Sequence, residues 1–201
     1  MNVGLTGGIA CGKSTVSRML AARGAAIVDA DLIARDVVRP GQPALAEVRA
    51  AFGAEVFAED GTLDRKRLGA VVFADEASRK RLEGILHPRI REEIARQMLA
   101  WNRTEPERLV VVDIPLMYES GLDKRYAFED ILVVYVPRRV QLERLMRRDG
   151  LSLEEAERRI DAQLSIEKKR ELADVVIDNS GDLAETERQV EAYMARRGSS
   201  A

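Results

Sequence analysis

The chain has 201 residues, of which 46% are hydrophobic and 33% are charged, as is usual for one globular core with or without a smaller inserted lobe. Its 32 basic and 34 acidic residues give a formal net charge of −2, which argues against a general nucleic-acid or membrane binder because both partners favour a basic excess. No run approaches the roughly 20 apolar residues that span a bilayer, and one cysteine with one histidine argues against disulfides or a His/Cys zinc site, so we expect a cytoplasmic protein.

Strand-like and helix-like segments alternate along the chain. Residues 2–6 predict a short strand ending at glycines, and residues 13–24 have helical spacing with Gly24 as the stop. Further strands are predicted at 25–31 (AAIVDAD), 109–115, 130–137 and 173–179. Several of these are continuous β-branched runs, which are typical of a parallel sheet buried on both faces. The pattern predicts an α/β fold with a five-stranded parallel sheet and helices on both faces.

Two helical stretches interrupt this alternation. Residues 36–108 contain no convincing core strand and are too long for an ordinary connection, which predicts an inserted helical lobe. Residues 138–170 are arginine-rich and helical, and Ser152 with Glu155 forms a capping-box pattern there. The core would then consist of 1–35, 109–137 and 171–201, with a frayed tail at RRGSSA.

The segment GGIACGKST, residues 7–15, has the spacing Gly-x4-Gly-Lys-Ser between a predicted strand and a predicted helix, which is the context that a P-loop requires. Its backbone N–H groups would surround phosphate oxygens at a helix N-terminus. Lys13 would neutralise the β- and γ-phosphates of a nucleotide, and Ser14 would ligate Mg²⁺.

Acidic residues follow two of the predicted strands. Asp113 ends an apolar run in the manner of a Walker B strand, so it either serves Mg²⁺ or caps the turn before Pro115. Asp29 and Asp31 close the second predicted strand at the sheet edge where α/β proteins bind ligands. One of the two could accept a hydroxyl proton during phosphoryl transfer and one could cap a helix. Strand alternation places both on the same side and does not choose between them.

Other candidate residues are less specific. A lone histidine such as His87 is more often structural, and Pro88 suits the first position of a helix. The arginine-rich segment PRRVQLERLMRRDG places Arg144 and Arg148 four residues apart on one helix face. A phosphoryl-transfer enzyme needs cations for the migrating charge, so we expect at least one of these arginines to be functional.

With these residues in view, the chain resembles the dephospho-coenzyme A kinase family along nearly its whole length. The motifs are GLTGGIACGKSTV, DADLIAR, LHP, VVVDIPLMYE, the arginine segment with RRDG, the AQ and EKK stretch, and ADVVIDN. The resemblance implies ATP- and Mg²⁺-dependent phosphorylation of the ribose 3′-hydroxyl of dephospho-CoA. It also implies a P-loop kinase core, a helical lobe for the CoA substrate at 36–108 and a mobile lid at 138–170.

The resemblance also implies roles for single residues. Asp31, the second acid of DAD, matches the proposed catalytic base, and Arg144 and Arg148 match the phosphate-facing and lid arginines. Asn179 would lie near the adenine. The acceptor side would be lined by Asp31, His87, Tyr118 and Glu119, and the ATP phosphate loop would comprise Gly8, Ile9, Ala10, Cys11, Gly12, Lys13, Ser14 and Thr15.

This chain departs from the family at Ala10-Cys11, where Gly-Ser is usual. Ala10 lacks the freedom of glycine at positive φ, which puts loop geometry in question. A thiol at a helix N-terminus beside Lys13 is expected to be unusually reactive. No step of phosphoryl transfer to a sugar hydroxyl needs a thiol, so Cys11 is interpreted as a small residue that fits, whose alkylation would block ATP.

The sequence argues against three alternative functions to different degrees. A GTPase needs an Asn-Lys-x-Asp motif, and the chain has no Asn-Lys dipeptide. Another small-molecule kinase of the nucleoside monophosphate type fits the same architecture, and only the family motifs speak against it. A non-catalytic ATP-binding module is disfavoured because Lys13, Ser14, Asp31 and Asp113 are present together.

Overall fold

The computed structural model describes residues 1–198. Its five-stranded sheet has the order β2-β3-β1-β4-β5, and the predicted α/β fold with a five-stranded parallel sheet is confirmed. The strands are β1 Asn2–Gly7, β2 Ala26–Asp29, β3 Val110–Asp113, β4 Asp130–Tyr135 and β5 Val175–Asp178.

Nine α-helices occur within residues 1–198, together with a 3-10 turn at Ala54–Val56. The helices are α1 Lys13–Ala22, α2 Ala30–Asp36, α3 Pro43–Phe52, α4 Arg65–Ala74, α5 Glu76–Thr104, α6 Arg138–Asp149, α7 Leu153–Asp161, α8 Ile166–Leu172 and α9 Leu183–Gly198. None of those helices is both long enough and apolar enough to cross a membrane.

Strand β1 occupies the centre of the sheet. Gly4 lies beside Val112 of β3 and beside Ile131 of β4 in parallel register. Side chains of β1, β3 and β4 form much of a core cluster that also includes residues of α1 and α9. Because β1 and β3 are parallel neighbours, the residues that follow Gly7 and Asp113 lie at the same edge of the sheet.

Among the described residues the chain divides into two compact units, one of residues 1–28 with 98–198 and one of residues 29–97. The second unit is helical apart from an isolated bridge between Phe57 and Leu63. Its core contains Val48, Phe52, Val56, Phe57 and Leu68. The functional division into core, substrate lobe and lid stays a prediction.

The prediction that Pro88 begins a helix is wrong, because α5 runs through it. Proline removes one helical hydrogen bond and its ring crowds the carbonyl four residues earlier, which usually breaks a helix. Here apolar residues hold the helix on both sides of Pro88. Ile85 and Leu86 pack on the core of the second unit, and Ile94 is fully buried.

The frayed tail was also predicted too early in the chain. Arg196 and Arg197 belong to α9, and Arg197 forms an ion pair with Asp130. The remainder of that prediction, residues 199–201, lies outside the described residues.

Candidate active site

Short-range backbone hydrogen bonds shape the loop between β1 and α1. Cys11 N donates to Gly8 O at 3.1 Å, and Thr15 N donates to Gly12 O at 2.9 Å. Gly12 precedes the first residue of α1 with a φ of 84°. A Cβ added at Gly12 would lie 2.2 Å from Asn179 Nδ2. Conformation and space therefore both require glycine at this position.

Ala10 has a φ of 62°, which no other non-glycine residue among residues 1–198 approaches on the positive side. The concern that this position calls for glycine is thereby confirmed. An L-residue in the left-handed region costs about 1–2 kcal/mol, so the surrounding contacts must hold Ala10 there.

The expectation of a reactive thiol at Cys11 is wrong. Its side chain is fully buried in the core cluster beneath the loop. Burial raises the pKa of the Cys11 thiol to about 11, and this outweighs the opposing effects of the Gly8 and Val136 backbone and of Lys169 and Arg144. The cost of desolvating the thiolate thus exceeds the stabilisation that a helix N-terminus gives it. The side chain behaves as a small core residue.

Lys13 joins the loop to the end of β3. Its Nζ donates to Asp113 Oδ1 in an ion pair. The Lys13 side chain is 19% exposed, whereas the Asp113 side chain is 4% exposed. The Lys13 ammonium therefore remains partly accessible to solvent, and the buried Asp113 carboxylate fixes its position. Of the two alternatives for Asp113, the contact favours a role in the site over turn capping.

Asn179, which follows β5, connects the loop to α9. Its Nδ2 donates to Cys11 O at 2.8 Å, and its Oδ1 accepts from Thr186 Oγ1 at 2.9 Å. Its own carbonyl accepts from Arg144 Nη2 at 2.9 Å. The Arg144 guanidinium is consequently fixed beside the loop, with Nη1 4.0 Å from a Cβ built on Gly12. In this structure the Asn179 side chain supports the loop.

Arg148 has a different environment from Arg144, although both lie on α6. Arg148 is exposed and forms a two-bond ion pair with the adjacent Asp149, at 2.7 and 3.1 Å. Asp149 also accepts from Arg159 Nη1 of α7 at 3.0 Å. The hydrogen-bonded Arg148 lowers the pKa of Asp149. The structure therefore brings Arg144, but not Arg148, into contact with the residue that supports the loop.

The structure separates the two acids of DAD. Strand β2 ends at Asp29, and Ala30 already begins α2, so the predicted strand at 25–31 is too long. Asp29 Oδ1 accepts from the N–H groups of Asp31 and Leu32 at 2.8 and 3.0 Å, which makes it the N-cap of α2. Asp31 lies exposed in the first helical turn. Because α2 begins at Ala30, Asp31 does not continue the side-chain alternation of β2. The sequence argument that placed both acids on the same side of a strand therefore does not apply.

Tyr118 and Glu119, which the resemblance puts on the acceptor side, both contact the segment around α8. Tyr118 OH donates to Leu172 O at 3.1 Å, and Leu164 N donates to Glu119 Oε1 at 3.0 Å. Burial raises the pKa of Tyr118 to about 12, helped by Asp174 and Asp123. The phenol therefore remains a neutral donor near pH 7.

Sequence reasoning missed Lys169, which lies fully buried beneath the loop. Its Nζ is 2.8 Å from Glu119 Oε1, and it donates to Gly7 O at 3.2 Å and Pro115 O at 3.4 Å. The Glu119 side chain is 23% exposed. The EKK motif contained this lysine, but an exposed neighbour, Lys168, stands beside it, and periodicity alone did not distinguish them.

Two glutamines within residues 138–170 were missed as well. Gln141 Nε2 donates to Ile9 O at 2.9 Å, and Gln163 Oε1 accepts from Ile9 N at 2.9 Å. His87, by contrast, lies exposed on α5 in the unit of residues 29–97. Nothing in its described surroundings assigns it a role.

The sequence and the structure of this chain are similar to those of known proteins of one family. The family model described as dephospho-CoA kinase matches residues 1–185. A dephospho-CoA kinase of Shouchella clausii is 48% identical over 196 residues, which are 98% of each chain. One of Leifsonia xyli is 49% identical over 193 residues, 96% of each chain. The solved dephospho-CoA kinase of Campylobacter jejuni is 31% identical with a TM-score of 0.77, and the match covers 99% of this chain and 98% of that one.

Proposed function

The chain belongs to the dephospho-CoA kinase family and catalyses ATP-dependent phosphorylation of dephospho-CoA in coenzyme A biosynthesis, and we propose that Asp31 is the base that activates the ribose 3′-hydroxyl. Residues 8–15 would hold the ATP phosphates. The acceptor hydroxyl would attack the γ-phosphorus in line, and its proton would pass to the Asp31 carboxylate.

The observation that carries this assignment is the different use of Asp29 and Asp31. Asp29 accepts two backbone N–H bonds at the start of α2, and those bonds fix the position of its carboxylate as a helix cap. Asp31 follows at the carboxyl end of β2 with an exposed side chain. A base must be able to reach its substrate and receive a proton, and of the two acids Asp31 is the one whose position suits that task.

The charge on the transferred phosphoryl group would be met by cations of the loop and of α6. Lys13 is held at the loop by Asp113, and Arg144 is held beside the loop by Asn179 O. Groups that are already oriented stabilise developing charge without reorganising during the reaction. Arg148 would contribute from the predicted lid, in exchange for its ion pair with Asp149.

Mg²⁺ fits the side chains at this edge of the sheet. Ser14 presents an exposed hydroxyl in the first turn of α1, and Asp113 supplies a carboxylate at the end of β3. Hard oxygen donors in small number are what Mg²⁺ takes when substrate phosphates complete its shell. The ion would neutralise phosphate charge, while Ser14 and Asp113 would fix its position.

The acceptor side would be formed by Tyr118 and Glu119, with His87 contributed by the predicted substrate lobe. Lys169 and Leu164 N hold the Glu119 carboxylate, and Leu172 O holds the Tyr118 hydroxyl. Both side chains are thus oriented by α8 and the turn before it, which lets them position a substrate without being reactive themselves.

Replacing Asp31 by Asn tests the base assignment. Asn keeps the shape but cannot accept the proton, so kcat should fall by about 10²–10⁴-fold, while the Kd for ATP changes little. Asp29→Asn is the matched control, because Asn caps helices as well as Asp does, and it should keep most activity. A crippled Asp29→Asn with an active Asp31→Asn would reverse the assignment.

The acceptor is tested by offering dephospho-CoA, its 3′-deoxy analogue, AMP and adenosine separately and measuring ADP release. We expect turnover of dephospho-CoA alone. Turnover of the 3′-deoxy analogue would place the phosphoryl group on another hydroxyl. Comparable kcat/KM for AMP or adenosine would favour the nucleoside monophosphate type of kinase.

A further inference from the structure

The peptide groups on either side of Ile9 are bound by two glutamines that are distant in sequence. Ile9 N donates to Gln163 Oε1, and Ile9 O accepts from Gln141 Nε2, both at 2.9 Å. Gln141 lies on α6, and Gln163 follows α7. We refer to this pair of side chains as the glutamine clamp. It binds both the N–H and the C=O group of Ile9, the residue immediately before Ala10.

Gln141 is built into the loop rather than lying over it. It is 2% exposed, and a Cβ added at Gly8 would lie 2.3 Å from its Nε2. Its Oε1 is buried and has no hydrogen-bond partner within residues 1–198. A buried, half-satisfied amide is unfavourable for stability. Its Nε2 bond to Ile9 O therefore points to a role in shaping the loop.

The residue that needs such support is Ala10. Its positive φ is a conformation that glycine adopts freely and alanine does not. Ile9 and Ala10 also pack against the apolar cluster of Leu145, Ala156 and Ile160 from α6 and α7. Ala10 thus packs against α6, which carries Gln141, and against α7, which Gln163 follows.

We propose that Gln141 and Gln163 are positioning residues that hold the Ile9–Ala10 segment in its phosphate-binding shape. The clamp compensates for alanine at position 10. This inference rests on the proposal that residues 8–15 bind the ATP phosphates. Without the clamp, the Ala10 backbone would relax to negative φ, and ATP binding would have to restore the loop at the expense of affinity.

Removing one half of the clamp should weaken ATP binding. We expect Gln163→Ala to raise the Kd and KM for ATP about tenfold, or about 1.4 kcal/mol, with kcat within a factor of two or three. Gln97→Ala is the matched control, because that amide bonds to Glu93 on its own helix, and its Kd should equal that of the wild type. Unchanged ATP affinity in Gln163→Ala would overturn the proposal.

The dependence on Ala10 is tested by repeating the change in an Ala10→Gly background. Glycine tolerates the positive φ without support, so Gln163→Ala should there raise the Kd for ATP no more than about twofold. An equal loss in both backgrounds would contradict the proposal, because the clamp would then act independently of residue 10. Unfolding midpoints of all variants, measured in parallel, separate loop shape from a general loss of structure.

A failure of the clamp remains distinguishable from a failure of the loop assignment. Lys13→Met should weaken ATP binding with either Ala or Gly at position 10. If Lys13→Met binds ATP like the wild type, the loop itself is misassigned. If Lys13→Met binds poorly while Gln163→Ala binds normally, the loop is correct and the clamp is wrong.

Discussion

Two lysine–carboxylate pairs lie beside the loop at the carboxyl edge of the sheet, and they have opposite exposure. In the pair of Lys13 and Asp113 the carboxylate is buried and the ammonium is partly open. In the pair of Lys169 and Glu119 the ammonium is fully buried and the carboxylate is partly open. In each pair the buried charge fixes the partner that reaches the surface.

This difference indicates what each pair does. The open lysine suits the phosphates of ATP, and the open glutamate suits the polar acceptor side. Lys169 also donates to the carbonyls of Gly7 and Pro115, so it joins the end of β1 to the turn after β3. We infer that Lys13 serves the nucleotide directly and that Lys169 serves the framework around it.

The largest expected effect on stability comes from leaving Lys169 without its carboxylate. Glu119→Ala should lower the free energy of unfolding by about 3 kcal/mol, the lower end of the range for breaking a buried ion pair, because the two carbonyl contacts remain. Urea unfolding measures this loss. Adding Lys169→Met to Glu119→Ala should recover most of it, since the unpaired charge is then gone.

The matched change in the other pair is Asp113→Ala. Its loss should be smaller, because the partly exposed Lys13 can turn to water. Equal losses in the free energy of unfolding for the two carboxylate variants would show that the difference in exposure does not affect stability. The absence of any recovery on adding Lys169→Met would show the same.

A smaller effect is expected on α6, which carries two arginines in different environments. Arg144 is held beside the loop by Asn179 O, whereas Arg148 is exposed. Arg148→Ala should lower kcat about tenfold, about the value of one charge-assisted hydrogen bond, and should change the Kd for ATP less. The reason is that charge on the transferring group is greatest in the transition state. Equal losses in kcat and in ATP affinity would make Arg148 a ground-state binding residue.

The smallest effect is expected at Cys11, which lies in the field of Lys169 and Arg144 yet remains protonated. Cys11→Ser should keep kcat and the KM for ATP within about twofold. With the pKa of its thiol raised to about 11, wild-type protein at pH 8 should react with iodoacetamide far more slowly than free cysteine does. Rapid modification of the native protein would contradict the burial.

The sequence sufficed for the fold and for the loop because both depend on local signals. Buried β-branched runs predicted the strands, and Gly7, Gly12 and Lys13 predicted the loop between strand and helix. The second strand was predicted two residues too long, since Asp29 and Asp31 alternate as in a strand, whereas the Asp29 side chain in fact caps α2.

The supporting residues could not be predicted, because their roles depend on distant contacts. Lys169 and Gln163 are 162 and 154 residues from the loop atoms that they bind, and their own surroundings resemble an ordinary charged helix. Cys11 was misjudged because the helix terminus was visible in the sequence and the burial was not. Pro88 was misjudged because the apolar packing of α5 outweighs the proline.

The most direct test of the account is the binding of Mg·ATP to Lys13→Met and Lys169→Met, measured by titration calorimetry beside the wild type. Both changes remove one ammonium at the same edge of the sheet and leave a side chain of similar length. We expect Lys13→Met to weaken binding about 10²-fold, which lies in the range for losing one hydrogen bond to a charged group, and Lys169→Met to change it no more than about threefold. Equal weakening by the two variants would contradict the division between a lysine for the nucleotide and a lysine for the framework.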